Sequence, residues 1–64
     1  MVRINGEDKD LAGKNILEYL QETGFDPERV VVEINLEIIS KDRLGDLTIN
    51  DEDEIEVLMF VGGG

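Results

Sequence analysis

Sixty-four residues, 41% of them hydrophobic, leave room for one domain around a small core and argue against a deep, enclosed active site. The chain has no Cys and no His, which removes disulfides, thiol nucleophiles, zinc sites built on those residues and imidazole acid-base catalysis. Sixteen acidic residues against six basic give a formal net charge of -10, which repels phosphate backbones and anionic bilayers and sets aside nucleic-acid and membrane partners.

Met1 to Asn5 alternates as a short strand, with Val2 and Ile4 on one face and Arg3 and Asn5 on the other. Asn5-Gly6 is a tight-turn signal, so the domain opens on a hairpin. The N-terminal run is too short for a signal peptide, and no stretch approaches the roughly 18 to 20 apolar residues of a membrane span, so a cytoplasmic location is expected. The returning strand, Glu7 to Leu11, carries four charges and suits a sheet edge. Asn15 is placed to cap a helix, with Glu18 as its capping-box partner. That helix is predicted over Ile16 to Thr23, with Ile16, Leu17, Tyr19 and Leu20 as its apolar stripe and Gly24 ending it in the left-handed conformation.

Asp26-Pro27-Glu28-Arg29 redirects the chain. Val30 to Asn35 reads as a central strand with Val32 and Ile34 inward, and Glu37 to Ser40 returns beside it with Ile38 and Ile39 on opposite faces. Ser40 to Asp46 suits a single helical turn, capped by the Ser40 hydroxyl and pinned by Leu44. Leu47 and Ile49 precede the polar turn Asn50 to Asp53. The last strand, Glu54 to Val61, points Ile55, Val57 and Met59 inward and Glu56, Leu58 and Phe60 outward. Two strands, a helix and further strands ending in a strand predict an α+β domain of the β-grasp type, a mixed sheet of four to five strands crossed by one main helix. The domain is expected over 1–61, followed by a flexible glycine tail over 62–64.

Chemistry concentrates in Leu58-Met59-Phe60-Val61-Gly62-Gly63-Gly64, where a hydrophobic strand passes into glycines without a polar linker. Glycine costs the most entropy to order and buries no side chain, so Gly62, Gly63 and Gly64 add nothing to the fold. Three extended residues reach roughly 10 Å, enough to thread the Gly64 carboxylate into a partner's pocket through a channel too narrow for β-carbons. A frayed tail or linker is the alternative, but the segment lacks the Ser or Thr usual in linkers. Val31, Leu58, Phe60 and Val61 form a candidate docking patch beside that tail, burial under a neighbouring loop being the other reading. The run Asp51 to Glu54 lacks the glycine and distal glutamate of a calcium loop and reads as a charged turn, so no metal site is assigned. Lys14, Lys41 and Arg43 read as solvated charges rather than contacts for acidic patches on a partner.

These features together resemble the ThiS sulfur carrier family of thiamine biosynthesis, ubiquitin-like β-grasp proteins ending in Gly-Gly. The likeness runs through the opening hairpin, the helix, Asn35 with Glu37-Ile38-Ile39, the basic pair Lys41 and Arg43, Asp51-Glu52-Asp53 with Ile55 to Leu58, and the final glycines. Leu36 stands where members often have glycine, Leu44 where an aromatic is common, and the third glycine lengthens the tail by one residue. The resemblance implies that the Gly64 carboxylate is adenylated by the E1-like adenylyltransferase ThiF, which uses ATP and magnesium, while the carrier itself binds no cofactor. It further implies conversion to a thiocarboxylate with a sulfur donor protein and delivery of sulfur to thiazole synthase, ThiG. The protein is then a co-substrate, not an enzyme. A MoaD-like carrier for molybdopterin or another sulfur-containing product shares the tail and the fold, and a non-covalent β-grasp binding module is the reading from a different class.

Overall fold

The computed structural model describes residues 1–60. Five strands form one mixed sheet: β1 (Val2–Ile4), β2 (Glu7–Lys9), β3 (Val30–Ile34), β4 (Glu37–Ile39) and β5 (Glu54–Met59). One helix, α1 (Ile16–Glu22), and two 3-10 turns, Pro27–Arg29 and Lys41–Asp46, complete the described elements. The spatial order is β2-β1-β5-β3-β4. β1 and β5 run parallel in the middle, with antiparallel hairpins β1–β2 and β3–β4 on either flank. The β-grasp expectation holds, and the sheet has five strands.

Both hairpins turn through two residues with positive φ, Asn5 (51°) and Gly6 (83°) in the first, Asn35 (52°) and Leu36 (71°) in the second. That is the turn whose twist matches paired strands. Between the hairpins, Asn15 starts α1 by accepting the Glu18 N–H at 3.1 Å, and its amide nitrogen donates to the Gly45 carbonyl at 2.8 Å. Ile16, Tyr19 and Leu20 turn into the core while Glu18, Gln21 and Glu22 face water. Phe25 N–H to Leu20 carbonyl at 2.9 Å and Gly24 at φ 88° end the helix as its sequence requires.

The core lies between α1 and one sheet face. Val2, Ile4, Val32, Ile39, Ile55 and Val57 project from the sheet, the helix supplies its three residues, and Leu44 and Ile49 close the ends. Alternation along β5 buries Ile55 and Val57 and exposes Glu54, Glu56 and Leu58. The opposite face of the sheet is uncovered among the described residues.

Several expectations need correction. β3 is an interior strand as expected, paired on both sides, but the middle place of the sheet belongs to β5, which lies between β1 and β3. Met59 has the inward register but is 56% exposed, since a seven-residue helix is too short to cover a strand of about 20 Å. The Ser40 hydroxyl makes no cap bond; its backbone carbonyl accepts the Arg43 N–H instead. The second strand stops at Lys9 and the helix at Glu22. Only the Asn15 half of the capping box forms, with the Glu18 side chain exposed. Val61 and the glycine tail lie outside the described residues.

Candidate functional site: the root of the C-terminal tail

β5 carries the chain toward its C-terminal glycines, and pairing with β3 sets where that path begins. Val30, Val31 and Val32 stand opposite Met59, Leu58 and Val57. The ladder continues one step past the strand, because Phe60 N–H donates to the Arg29 carbonyl at 2.9 Å. Arg29 itself closes the Pro27–Arg29 turn, in which the Asp26 side chain accepts the Glu28 N–H at 2.9 Å and the Asp26 carbonyl accepts the Arg29 N–H at 2.8 Å. Lys41 donates to Glu28 at 2.6 Å and ties this turn to the second 3-10 turn. Phe60 is thus held from a braced piece of backbone.

Two of the expected docking residues are a cross-strand pair: Val31 lies directly opposite Leu58 on the uncovered face. Leu58 is 48% and Phe60 62% exposed, which decides for an outward apolar patch over burial under a loop; Val31 is half-buried. Met59 adds exposed apolar surface on the strand's other side. The alternation of β5 assigns Met59 to the core, but a seven-residue helix does not reach far enough along the strand to cover it. Val61, Gly62, Gly63 and Gly64, the remaining site residues, fall outside the described residues.

Beyond the Val31–Leu58 pair the same face turns acidic. Glu33 lies opposite Glu56, and like charges directly opposed across two strands are unfavourable. Arg3, opposite Glu54, is drawn to Asp8 at 3.5 Å. A basic contact surface complements this arrangement.

The other charged groups have local explanations. Lys14 meets Glu22 at 2.9 Å and Lys41 meets Glu28 at 2.6 Å, and these hydrogen bonds raise both ammonium pKa values above the ordinary 10.5. Arg43 approaches Glu37 at 3.9 Å. In the acidic run, Asp53 accepts the Asn50 N–H at 2.9 Å, and Asp51 pairs with the Met1 amino group, which lowers the Asp51 pKa. Among the described residues no group of three acidic side chains is arranged to hold a metal, and no helix is long and apolar enough to cross a membrane.

The ThiS family profile matches residues 2–64, the glycines included. The sulfur carrier protein ThiS of Bacillus subtilis is 38% identical over 68 aligned positions that take in all of both chains. A thiazole synthase of Paramagnetospirillum magneticum is 40% identical over 62 residues, 95% of this chain but 19% of that protein; the chain spans about a fifth of the length of such relatives. The crystal structure of a Geobacter metallireducens thiamine biosynthesis protein, ThiS, superposes with a TM-score of 0.80 at 30% identity, covering 98% of this chain and 97% of the other. With the family profile matched over nearly its whole length, this chain belongs to the ThiS family.

Proposed function

We propose that this chain is a sulfur carrier of thiamine biosynthesis and that its reacting group is the Gly64 carboxylate. The observation that carries the reading is the family match over residues 2–64, which continues from the sheet through the three glycines. A carboxylate resists nucleophilic attack because of its charge. Its oxygen attacks the α-phosphorus of ATP, pyrophosphate leaves with magnesium, and the resulting acyl-adenylate has AMP as a good leaving group. Sulfide supplied by a donor protein then adds to the carbonyl carbon, the bond to AMP breaks, a proton is released, and a thiocarboxylate remains. Thiazole synthase takes its sulfur from that group.

In this scheme the protein supplies no catalytic group and acts as a co-substrate in the cytoplasm. Its own residues do the positioning. Phe60, bonded to the Arg29 carbonyl, is the last described position and is tied to the sheet, and Leu58 with Val31 gives the E1-like enzyme an apolar surface to seat the root of the tail. Gly62 and Gly63 carry Gly64 through a passage without room for side chains. Intact-mass measurement after incubation with ATP, magnesium, the E1-like enzyme and a sulfur donor tests this. A gain equal to one sulfur replacing one oxygen is expected, and an unchanged mass with active partners refutes it.

A further inference from the structure

The two hairpins of the sheet adopt the same backbone turn with different residues. Asn5-Gly6 meets the requirement for two positive φ angles with a glycine in second place, whereas the second hairpin puts Leu36 there at φ 71°. A β-carbon disfavours this conformation, and strain of this kind persists where the surroundings enforce it. Here Asn35 enforces it. Its side-chain oxygen accepts the Glu54 N–H at 3.0 Å, its amide nitrogen donates to Asp53 at 3.0 Å, and its backbone N–H donates to the Glu54 carbonyl at 2.8 Å. Packing offers Leu36 nothing in return, since it is 93% exposed. Ile38, two residues on and opposite Glu33 on the uncovered face, is 67% exposed. A rigid hairpin therefore holds two large apolar side chains in water.

The surroundings select what receives them. Glu33, Glu37, Asp53 and Glu54 lie on or against this hairpin, and the nearby cation, Arg43, is drawn to Glu37. A second copy would set acid against acid, and a phosphate-bearing surface is repelled. An apolar socket rimmed by lysine and arginine complements the site in both shape and charge. The hairpin borders the start of β5, whereas Phe60 follows its end, about 20 Å away. A partner contacting both holds the carrier at two points and fixes its orientation.

We propose that Leu36, supported by Ile38, is a docking anchor for thiazole synthase, received in an apolar socket with a basic rim. The choice of partner rests on the sulfur-carrier reading and on the thiazole synthases that contain a stretch 38–40% identical to this chain. The test measures binding of the full chain to purified thiazole synthase by titration calorimetry, alongside thermal unfolding. Leu36→Gly should raise the unfolding midpoint, because the turn loses its strain, and still weaken binding about tenfold or more, the loss expected of an anchor. Leu36→Met, equally strained but still apolar, should keep most of the affinity. Unchanged binding of Leu36→Gly overturns the anchor, as does a loss with Met as large as with Gly. Wild-type protein that gains sulfur in the mass assay but does not bind the synthase overturns the anchor alone. Wild type that binds through Leu36 and never gains sulfur overturns the carrier reading and leaves the anchor standing.

Discussion

The carboxamide of Asn5 acts as a peptide group toward Val57: its oxygen accepts the Val57 N–H at 2.8 Å and its nitrogen donates to the Val57 carbonyl at 3.4 Å. β1 ends at Ile4, where the chain enters its turn, while β5 continues toward the tail. The backbone N–H of Asn5 makes the last true rung, to the Ile55 carbonyl at 2.9 Å, and its side chain supplies the next. Asn5 also sits at φ 51°, which asparagine tolerates better than most residues.

Asn5→Ala should therefore lose twice, once for the unpaired backbone groups of Val57 and once for a β-carbon at positive φ without a compensating side chain. A cost of about 2 to 3 kcal/mol is expected, a large share of the roughly 3 to 5 kcal/mol that a chain of this size commands. Asn5→Gly keeps the turn and loses only the rung, so it should cost about half as much. Urea midpoints for the two variants decide it; equal effects would show that the rung, not the turn, carries everything.

Leu44, 2% exposed, is the single buried residue of the Lys41–Asp46 turn. Truncation to alanine leaves a cavity that the short turn fills poorly, so Leu44→Ala should cost about 2 to 5 kcal/mol and bring the protein close to unfolding at room temperature. Circular dichroism on heating checks this. A loss below about 1 kcal/mol would mean that the turn collapses onto the vacated space.

The charge pairs make a prediction about pH. The hydrogen bond from the Met1 amino group lowers the Asp51 pKa below 3.8 and raises the amine above 8.0. A lowered acid stabilises fully above its unfolded value and loses that contribution as pH falls through the folded one; a raised base does so below its unfolded value and loses it as pH rises. The Met1–Asp51 pair therefore acts between the folded pKa of Asp51, below 3.8, and that of the amine, above 8.0. The pair of Lys14 and Glu22 persists on the alkaline side until pH passes the raised value above 10.5. Both pairs meet solvent, so the effects are small. Asp51→Asn should flatten the stability profile at the acid flank and just above pH 8.0, while Lys14→Met should alter only the strongly alkaline end. An unaltered profile in Asp51→Asn would remove the pair from the stability of the fold.

Most of the sheet was readable from the chain because it is written in local terms. Asn5-Gly6, Asn15 before an apolar stripe, Gly24 and the alternation of Ile55 and Val57 each specify their conformation within a few residues. What escaped depends on separation. The middle place of β5 follows from β1 pairing with a strand fifty residues away, and the exposure of Met59 from where α1 stops. Asn35 reads locally as a strand end, whereas its bonds to Asp53 and Glu54 reach the entry of β5, eighteen and nineteen residues on. At the site, the apolar pair Val31 and Leu58 was visible as alternation, and the Arg29 carbonyl that holds Phe60 was not, since no side chain announces it.

Association with the E1-like enzyme should depend on salt. The face around Glu33, Glu54 and Glu56 belongs to a chain of net charge -10, so its long-range attraction for a basic surface is screened as ionic strength rises. Stopped-flow measurements should show association slowing with salt while dissociation changes less. A flat association rate would leave the charge as a matter of solubility.

The prediction on which the functional reading depends concerns the glycines. Gly63→Ala adds one methyl group to a glycine run that has no side chain to bury, so the unfolding midpoint is expected hardly to move. On the carrier reading, thiocarboxylate formation should nevertheless fail, because a passage fitted to glycine has no room for a β-carbon. Removing Gly64 is the subtler change, since a Gly-Gly terminus remains. If the enzyme grips only the end of the chain, activity survives. If it registers Leu58, paired with Val31, and Phe60, held by the Arg29 carbonyl, the carboxylate falls roughly 3 Å short, and even 1 Å of misplacement can cost about 100-fold. The braced root favours the second outcome, so deletion should abolish transfer while leaving binding nearly intact. A residue added after Gly64 should block adenylation for the complementary reason. Full thiocarboxylate formation on the extended chain would end the carrier reading.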